Sequence, residues 1–350
     1  MNSPFPASAS TPGDGTITVE RLPNGHSHLE RIAYQYPLKL ISPPRNHQQD
    51  RSVLVFLLSY GGGLVGGDTV NLAIEVQRDA RLSIVTQGHT KIFKSAAPDI
   101  VTRQTLDVVV EDGAALCLLP DPVQPFAESV YEQTQIFRLG GSGASLCLLD
   151  WVTQGRSARG EDWDLVRWTG RNEVWWSSGA AAADTATATA TGQGHVHGKG
   201  GRLLVRDAVK LDGRASLSAA ARDLRSTMHG LGIFGTLILR GPLTRSLGDF
   251  FVAEFTALPR IGARDWRTEE ARKLAEDESA LDPHVVWREE RLEMERREKV
   301  LWSAASVRGC VVVKFGAPTV EAGRMWIGSM LSREGSVEEH FGDQALMCVR

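Results

Sequence analysis

The sequence predicts a mainly β protein: a β-helix-like body of stacked β-sheet with a helical C-terminal portion. Three observations lead there. Val70, Leu72, Ile74 and Val76 alternate with Asn71, Glu75 and Gln77, the period of two of a half-buried strand. The pattern then recurs in Asp79-Ala-Arg-Leu-Ser-Ile-Val-Thr-Gln87, Asp112-Gly-Ala-Ala-Leu-Cys-Leu-Leu-Pro120 and Gly143-Ala-Ser-Leu-Cys-Leu-Leu-Asp-Trp151. Late in the chain, from Thr268, the composition turns to Glu, Ala, Lys and Arg, residues that favour helix.

Taken in order, residues 1–15 are rich in Pro, Ser and Gly and lack a basic start followed by an apolar run. They read as a disordered tail and not as a signal peptide. Residues 16–350 read as a single domain whose β body covers about 30–240. Val53-Leu-Val-Phe-Leu-Leu58 is a strand, far too short to span a bilayer. It leads into Ser59-Tyr-Gly-Gly-Gly-Leu-Val-Gly-Gly-Asp68, where Gly61, Gly63 and Gly66 have the spacing of a dinucleotide-binding turn. That turn needs a helix directly after it to hold the phosphates. The alternating strand from Thr69 stands there instead, and no Lys-Ser/Thr pair follows. Gly61, Gly62, Gly63, Gly66 and Gly67 therefore serve a strand-to-strand turn, with Asp68 at its exit as an acceptor for backbone N–H groups.

The alanines at 80, 114 and 144 are spaced 34 and then 30 residues apart, each followed by a strand. Repeats near this period point to coils stacked as a solenoid; a two-sheet sandwich is the competing arrangement. Residues 180–201, built from Ala, Thr and Gly, read as a flexible surface insertion. Its His195 and His197 suit a transition metal, but two histidines on a loop make a weak site. Helices are expected at about 243–258, 268–304 and 319–331. Asp282 and Pro283 supply a start signal within the second, where Trp287, Met294 and Leu301 recur every seven residues. Such a narrow stripe packs on the parent fold or docks a partner helix.

A net charge of −3 gives no reason to expect nucleic acid or an anionic membrane as partner. Cys117, Cys147, Cys310 and Cys348 form no C-x-x-C pair, so they read as reduced structural thiols of a cytoplasmic protein.

Stacked coils bring equivalent strand ends together, which places Gln87, Pro120 and Trp151 on one side. Lys91, Glu128, Arg156 and Glu161 follow them as candidates for one shared polar region. Four segments here carry a resemblance: Gly61-Gly-Gly-Leu-Val-Gly-Gly-Asp68, Thr86-Gln-Gly-His-Thr-Lys91, Pro120-Asp-Pro-Val-Gln-Pro-Phe126 and Gly155-Arg-Ser-Ala-Arg-Gly-Glu161. In this order they resemble the motifs of the urease accessory protein UreD (UreH) family, from about Tyr34 to about Arg240 and more loosely beyond. The tail, the Ala/Thr insertion and the charged helical segment depart from the family pattern.

The resemblance implies a β-helical body with appended helices and no catalysis of its own. It implies three partners: the urease apoprotein, UreF, and the GTPase UreG through UreF. It further implies no stably bound cofactor, with nickel in transit along a route through the body. Such a route needs polar walls with carboxylates and no site complete enough to trap the ion. Asp68, Glu128 and Glu161 are the candidate walls, with Lys91 and Arg156 balancing their charge. The segment from Thr268 to Ala304, with Trp287, Met294 and Leu301, is the candidate surface for UreF, the alternative being that its stripe packs on the body.

Two other readings stand beside this one. A β-helical polysaccharide-cleaving enzyme would draw on Asp121, Glu128, Asp150, Glu161 and Asp162; the row of exposed aromatics such a groove uses is not evident, though Trp163, Trp168, Trp175 and Trp176 come close. A passive β-rich interaction module would need neither. If the rim carboxylates line a nickel route, Asp68→Ala and Glu161→Ala lower the nickel loading of urease and leave the accessory complex assembled. Normal loading, measured as bound nickel per urease active site, would remove those positions from the route.

Overall fold

In the computed structural model, residues 11–44, 51–177, 201–213, 223–258 and 282–350 are described. β1 (Asp14–Arg21), β2 (Ser27–Tyr34) and β3 (Leu38–Ile41) come first. Three coils follow: β4 (Val53–Ser59), β5 (Gly63–Leu64) and β6 (Thr69–Val76); β7 (Arg81–Val85), β8 (Thr90–Ile92) and β9 (Thr102–Val110); β10 (Ala115–Leu118), β11 (Val123–Pro125) and β12 (Val130–Leu139). β13 (Ser145–Thr153) and β14 (Arg167–Trp176) extend the winding. Each coil contributes one strand to each of three sides. β4, β7, β10 and β13 pair in parallel, as do β6, β9, β12 and β14, and the short β5, β8 and β11 form the third side.

The alanine spacing is the coil register. Arg81 pairs with Ala115 and Ala115 with Ser145, so Ala80, Ala114 and Ala144 stack just before them, all buried. Their small side chains fit where consecutive coils turn over one another. At the glycine-rich loop, Gly61 and Gly62 take left-handed φ values of 71° and 75°. A Cβ on Gly63 would lie 2.7 Å from the carbonyl oxygen of Lys91, so β5 and β8 approach this closely only because that position is glycine. No helix follows, in keeping with the turn expected there.

Winding stops at β14. β15 (Arg202–Asp212) pairs antiparallel with β14, giving a seven-stranded sheet in the order β15-β14-β12-β9-β6-β1-β2 among the described residues. After α1 (Leu224–Thr227), β16 (Ile233–Arg240) pairs antiparallel with β13 in the larger sheet. That sheet is covered on its outer face by α2 (Arg245–Thr256), α3 (Pro283–Glu298), α4 (Val320–Glu334) and α5 (Ser336–Phe341), and is extended by the hairpin β17 (Leu301–Val307) and β18 (Cys310–Ala317). One core lies between the sheets, with Ile17, Leu72, Ile84, Leu116, Phe137 and Leu148. The other joins the larger sheet to the helices through Leu149, Trp151, Phe315, Trp326 and Met330.

Three expectations are corrected. The β body begins at Asp14 and not near residue 30, and Asp14 and Gly15, assigned to the tail, are strand. Parallel pairing of β1 with β6 sets Ile17 opposite Ile74 and buries Ile17 completely, which explains the early start. The helix expected over 268–304 ends at Glu298: Lys299 turns left-handed at φ 54°, and Leu301 opens a strand with 65% of its surface exposed. Finally, Trp287 is not a free docking residue. It packs 5.6 Å from the Phe250 ring, and its indole N–H donates to Ser329 Oγ at 3.1 Å; Met294 also packs against the second core. The start signal works as expected, with the Asp282 carboxylate accepting the His284 N–H at 2.8 Å. α2 and α4 occupy the regions expected to be helical at 243–258 and 319–331. Residues 180–200 of the insertion, with His195 and His197, and residues 268–281 lie outside the described residues. Among the described residues, no helix is long and apolar enough to cross a membrane.

Charge holds α3 down. The Glu254 carboxylate on α2, 1% exposed, accepts from Arg288 Nη2 at 2.6 Å and Arg291 Nη2 at 3.0 Å, with His284 Nε2 at 2.9 Å. Burial pushes its pKa up, but hydrogen bonds and charge from Arg288, then His284 and Arg291, hold it below the ordinary glutamate range. A depressed carboxylate contributes stability above the ordinary pKa and loses it as the pH falls through the folded-state value. Glu254→Ala leaves buried Arg291 with Glu295 as its one remaining carboxylate and is expected to cost about 2–3 kcal/mol at pH 7. In urea unfolding, the difference from wild type is expected to shrink below the glutamate range.

Candidate functional site

The third side of the body gathers the strand ends named from the sequence. Lys91 on β8 pairs with Gly63 on β5 and with Gln124 on β11, so three of the four resembling segments meet on one ladder. Gln124 Nε2 donates to the Gly155 carbonyl at 3.2 Å, which ties in the fourth. Asp68 accepts the Val65 N–H at 2.8 Å and closes its own turn, the capping role read from the sequence. Gln87 and Lys91 are exposed on the rim. Glu128 takes a left-handed φ of 62° and pairs with Lys94 on the surface. Glu161 is buried and accepts from the backbone N–H and Nε of Arg156, both at 2.9 Å. The Arg156 guanidinium lies 3.9 Å over the Phe126 ring. The candidate residues thus share one rim, and Asp68, Glu128 and Glu161 each have their own local partner there.

Behind this rim, between the two sheets, lies a polar layer. On β12, Tyr131, Gln133, Gln135, Phe137 and Leu139 are the buried alternation. Pairing carries Gln135 to Asn172 on β14 and Asn172 to Asp207 on β15, so these three form one rung of the smaller sheet. Facing them in the larger sheet, Asp150 on β13 pairs with Thr236 on β16, and Thr236 with Lys314 on β18. The rungs meet across the gap. Gln133 Nε2 donates to Asp150 Oδ1 at 2.9 Å, Asn172 Nδ2 to Asp150 Oδ2 at 2.7 Å, and Gln135 Nε2 to Asn172 Oδ1 at 3.0 Å. Thr236 Oγ1 donates to Asp207 Oδ2 at 2.9 Å, and Lys314 Nζ donates to Asp207 and, at 2.8 Å, to Thr236 Oγ1.

A narrow cavity of about 30 Å³ opens beside the layer, lined by Thr86, Thr90, Gln104, Asp121, Gln133 and Asp150 among others. It is large enough for one or two waters. A second cavity of about 20 Å³, bordered by Leu38, Ser59 and Leu64 beneath the glycine-rich loop, shares Leu57, Thr90 and Gln104 with the first. Asp121 at the cavity wall accepts from Gly88 N–H at 2.9 Å and from Arg324 Nη2 of α4 at 2.7 Å. A lane of polar side chains therefore runs from Asp121 at the cavity wall, past Asp150, to Asp207 and Lys314.

Sequence reasoning missed most of this lane. Asp121 and Asp150 were named only for the polysaccharide-cleaving reading; of its aromatic row, Trp163 and Trp168 are buried and Trp175 and Trp176 half-buried, and Asp150 faces the core. The available signal was Gln133 and Gln135 in strand phase with Tyr131 and Phe137, two amides at positions where an apolar core would place aliphatics.

Comparison with known proteins gives a consistent answer. The family model described as UreD urease accessory protein matches residues 12–348. A ureD-like urease accessory protein of Schizosaccharomyces pombe is 31% identical over 93% of this chain and 96% of its own length. Urease accessory protein UreD of Sorangium cellulosum is 36% identical over 70% of this chain and 67% of its own. Urease accessory protein D of Arabidopsis thaliana is 34% identical over 46% of this chain and 54% of its own.

The electrostatics of the layer turn on Asp150. Burial pushes its carboxyl above the ordinary aspartate value, and Asp207 adds to the rise, while the Asn172 and Gln133 hydrogen bonds and Lys314 oppose it. A raised carboxyl in the folded state makes ionisation cost stability, so this cost is present above the folded pKa and is relieved as the pH falls toward the ordinary value. Asn172→Leu removes one donor from the buried carboxylate and is expected to lower stability by about 2–3 kcal/mol at pH 7. Urea unfolding as a function of pH checks it, with the loss expected to narrow as Asp150 takes up its proton.

Proposed function

The chain belongs to the UreD family of urease accessory proteins, and from that premise we propose that it is a non-catalytic scaffold through which nickel reaches urease. In this reading it binds the urease apoprotein, reaches the GTPase UreG through UreF, and carries nickel along the interior lane as cargo. The observation behind the route is Asp150: a carboxylate with amide partners, and no ion-pair partner among the described residues, set beside a cavity within the buried polar layer between the sheets. Burying a charge there costs several kcal/mol that an apolar residue would avoid, and perturbed carboxyls in clefts concentrate at functional sites.

The lane has the chemistry of passage. Carboxylate, amide and hydroxyl oxygens follow one another, ligands a divalent cation accepts. Among the described residues, no group of three or more His, Cys, Asp and Glu gathers to hold a metal, so an ion would meet carboxylates one at a time, able to bind and to leave. Asp68, Glu128 and Glu161 would serve as the outer walls, with Lys91 and Arg156 balancing charge on the same rim. For the UreF surface, the packing of Trp287 and Met294 leaves exposed Leu301 as the remaining candidate of that stripe.

The test is urease activation reconstituted with nickel, UreF and UreG. Asp150→Asn, nearly identical in volume, is expected to lower activation about 10-fold or more while UreF and apo-urease still co-purify with the chain. Full activation by this variant would exclude the interior route, and loss of co-purification in the wild type would exclude the scaffold.

A further inference from the structure

The geometry points to a gate: we propose that Lys314 is a tethered cation standing where the cargo ion would sit at Asp207, and that it must be displaced for the ion to pass. This rests on the interior lane being the route. The carboxylate of Asp207 closes the outer end of the layer and is only 14% exposed, while the Lys314 side chain above it is 31% exposed. The ammonium satisfies both oxygen ligands at that end, Asp207 and Thr236 Oγ1, and lies 5.2 Å from the centre of the Phe234 ring. A divalent cation arriving there would seek the same two oxygens.

Position and residue type both suit a movable plug. The backbone of Lys314 is fixed, since β18 pairs with β16 on one side and β17 on the other, so only the side chain is free to leave. Lysine is a compact point charge on a flexible four-carbon stem, and partial exposure offers its ammonium a path to water. The charge count gives the plug a purpose. Asp150 and Asp207 interact unfavourably within one layer; without the ammonium, Asp207 would be left unpaired and would hold an arriving divalent ion more tightly. With Lys314 in place the outer end is already neutralised, so an arriving ion exchanges with a tethered charge and is not trapped. The far end of the lane is built alike, with Asp121 paired to Arg324 of α4 at 2.7 Å.

The experiment is calorimetric titration of the full chain with Ni²⁺, alongside reconstituted urease activation. Lys314→Met is expected to tighten nickel binding about tenfold or more while lowering activation, because the ion is then retained. Lys314→Gln, which keeps a donor to Asp207 but no charge, is expected to act in the same direction and serves if the methionine variant does not fold. Lys314→Arg is expected to bind nickel as the wild type does, and Lys314→Met combined with Asp207→Asn to lose the gain. Unchanged nickel affinity in both neutral variants, or a gain that survives Asp207→Asn, would overturn the gate. The two readings separate cleanly. If Asp150→Asn activates urease normally, the route fails whatever Lys314 does. If Asp150→Asn blocks activation while the neutral Lys314 variants bind nickel as the wild type does, Lys314 alone loses its role.

Discussion

Between the two sheets, the carboxylate of Asp150 is buried and held by the side-chain amides of Gln133 and Asn172 at 2.9 and 2.7 Å. A buried charge without such donors would cost several kcal/mol, so its neighbours are not free to be aliphatic. Gln133 must face inward, Asn172 must sit on the next strand opposite Gln135, and Gln135 must engage the Asn172 oxygen so that its amide points the right way. Those demands fix the relative register of β12, β13 and β14. A slip of one residue would turn every one of these groups outward.

The coil winding makes that register possible. Parallel strands joined by short turns repeat the same inward and outward alternation from coil to coil, so a polar group placed on one strand finds equivalents on the next. Where winding ends, the antiparallel additions β15, β16 and β18 bring Asp207, Thr236 and Lys314 to the open side of the layer. The helices act on the other face. Glu254 pins α3 through Arg288 and Arg291, and Arg324 on α4 reaches the Asp121 carboxylate, so the helical cover and one end of the lane share an element.

Much of this was legible in local patterns, and the failures have physical causes. The alanines at 80, 114 and 144 marked the coil period because a small residue at the turn of each coil is a local requirement. The missing helix after the glycine-rich loop excluded a nucleotide site for the same kind of reason. Leu301 was misplaced because the heptad stripe carried on past a left-handed Lys299, where the helix gives way to an edge strand paired with β18. The rim residues were recognisable from their motifs. The lane was harder: Asp150, Asn172, Asp207 and Lys314 lie on four different strands up to 164 residues apart in the chain.

By itself, then, the sequence determined the β-rich class, the coil period, the turn chemistry of the glycine-rich loop and the kinship of its motifs, because each depends on residues close together in the chain. Only the tertiary structure decided that Trp287 packs inward and that the amides of β12 meet a carboxylate from β13. It also set Lys314 over Asp207. Strand pairing between distant segments and the facing of one sheet on another have no local signature, and those two relations assemble the charged layer.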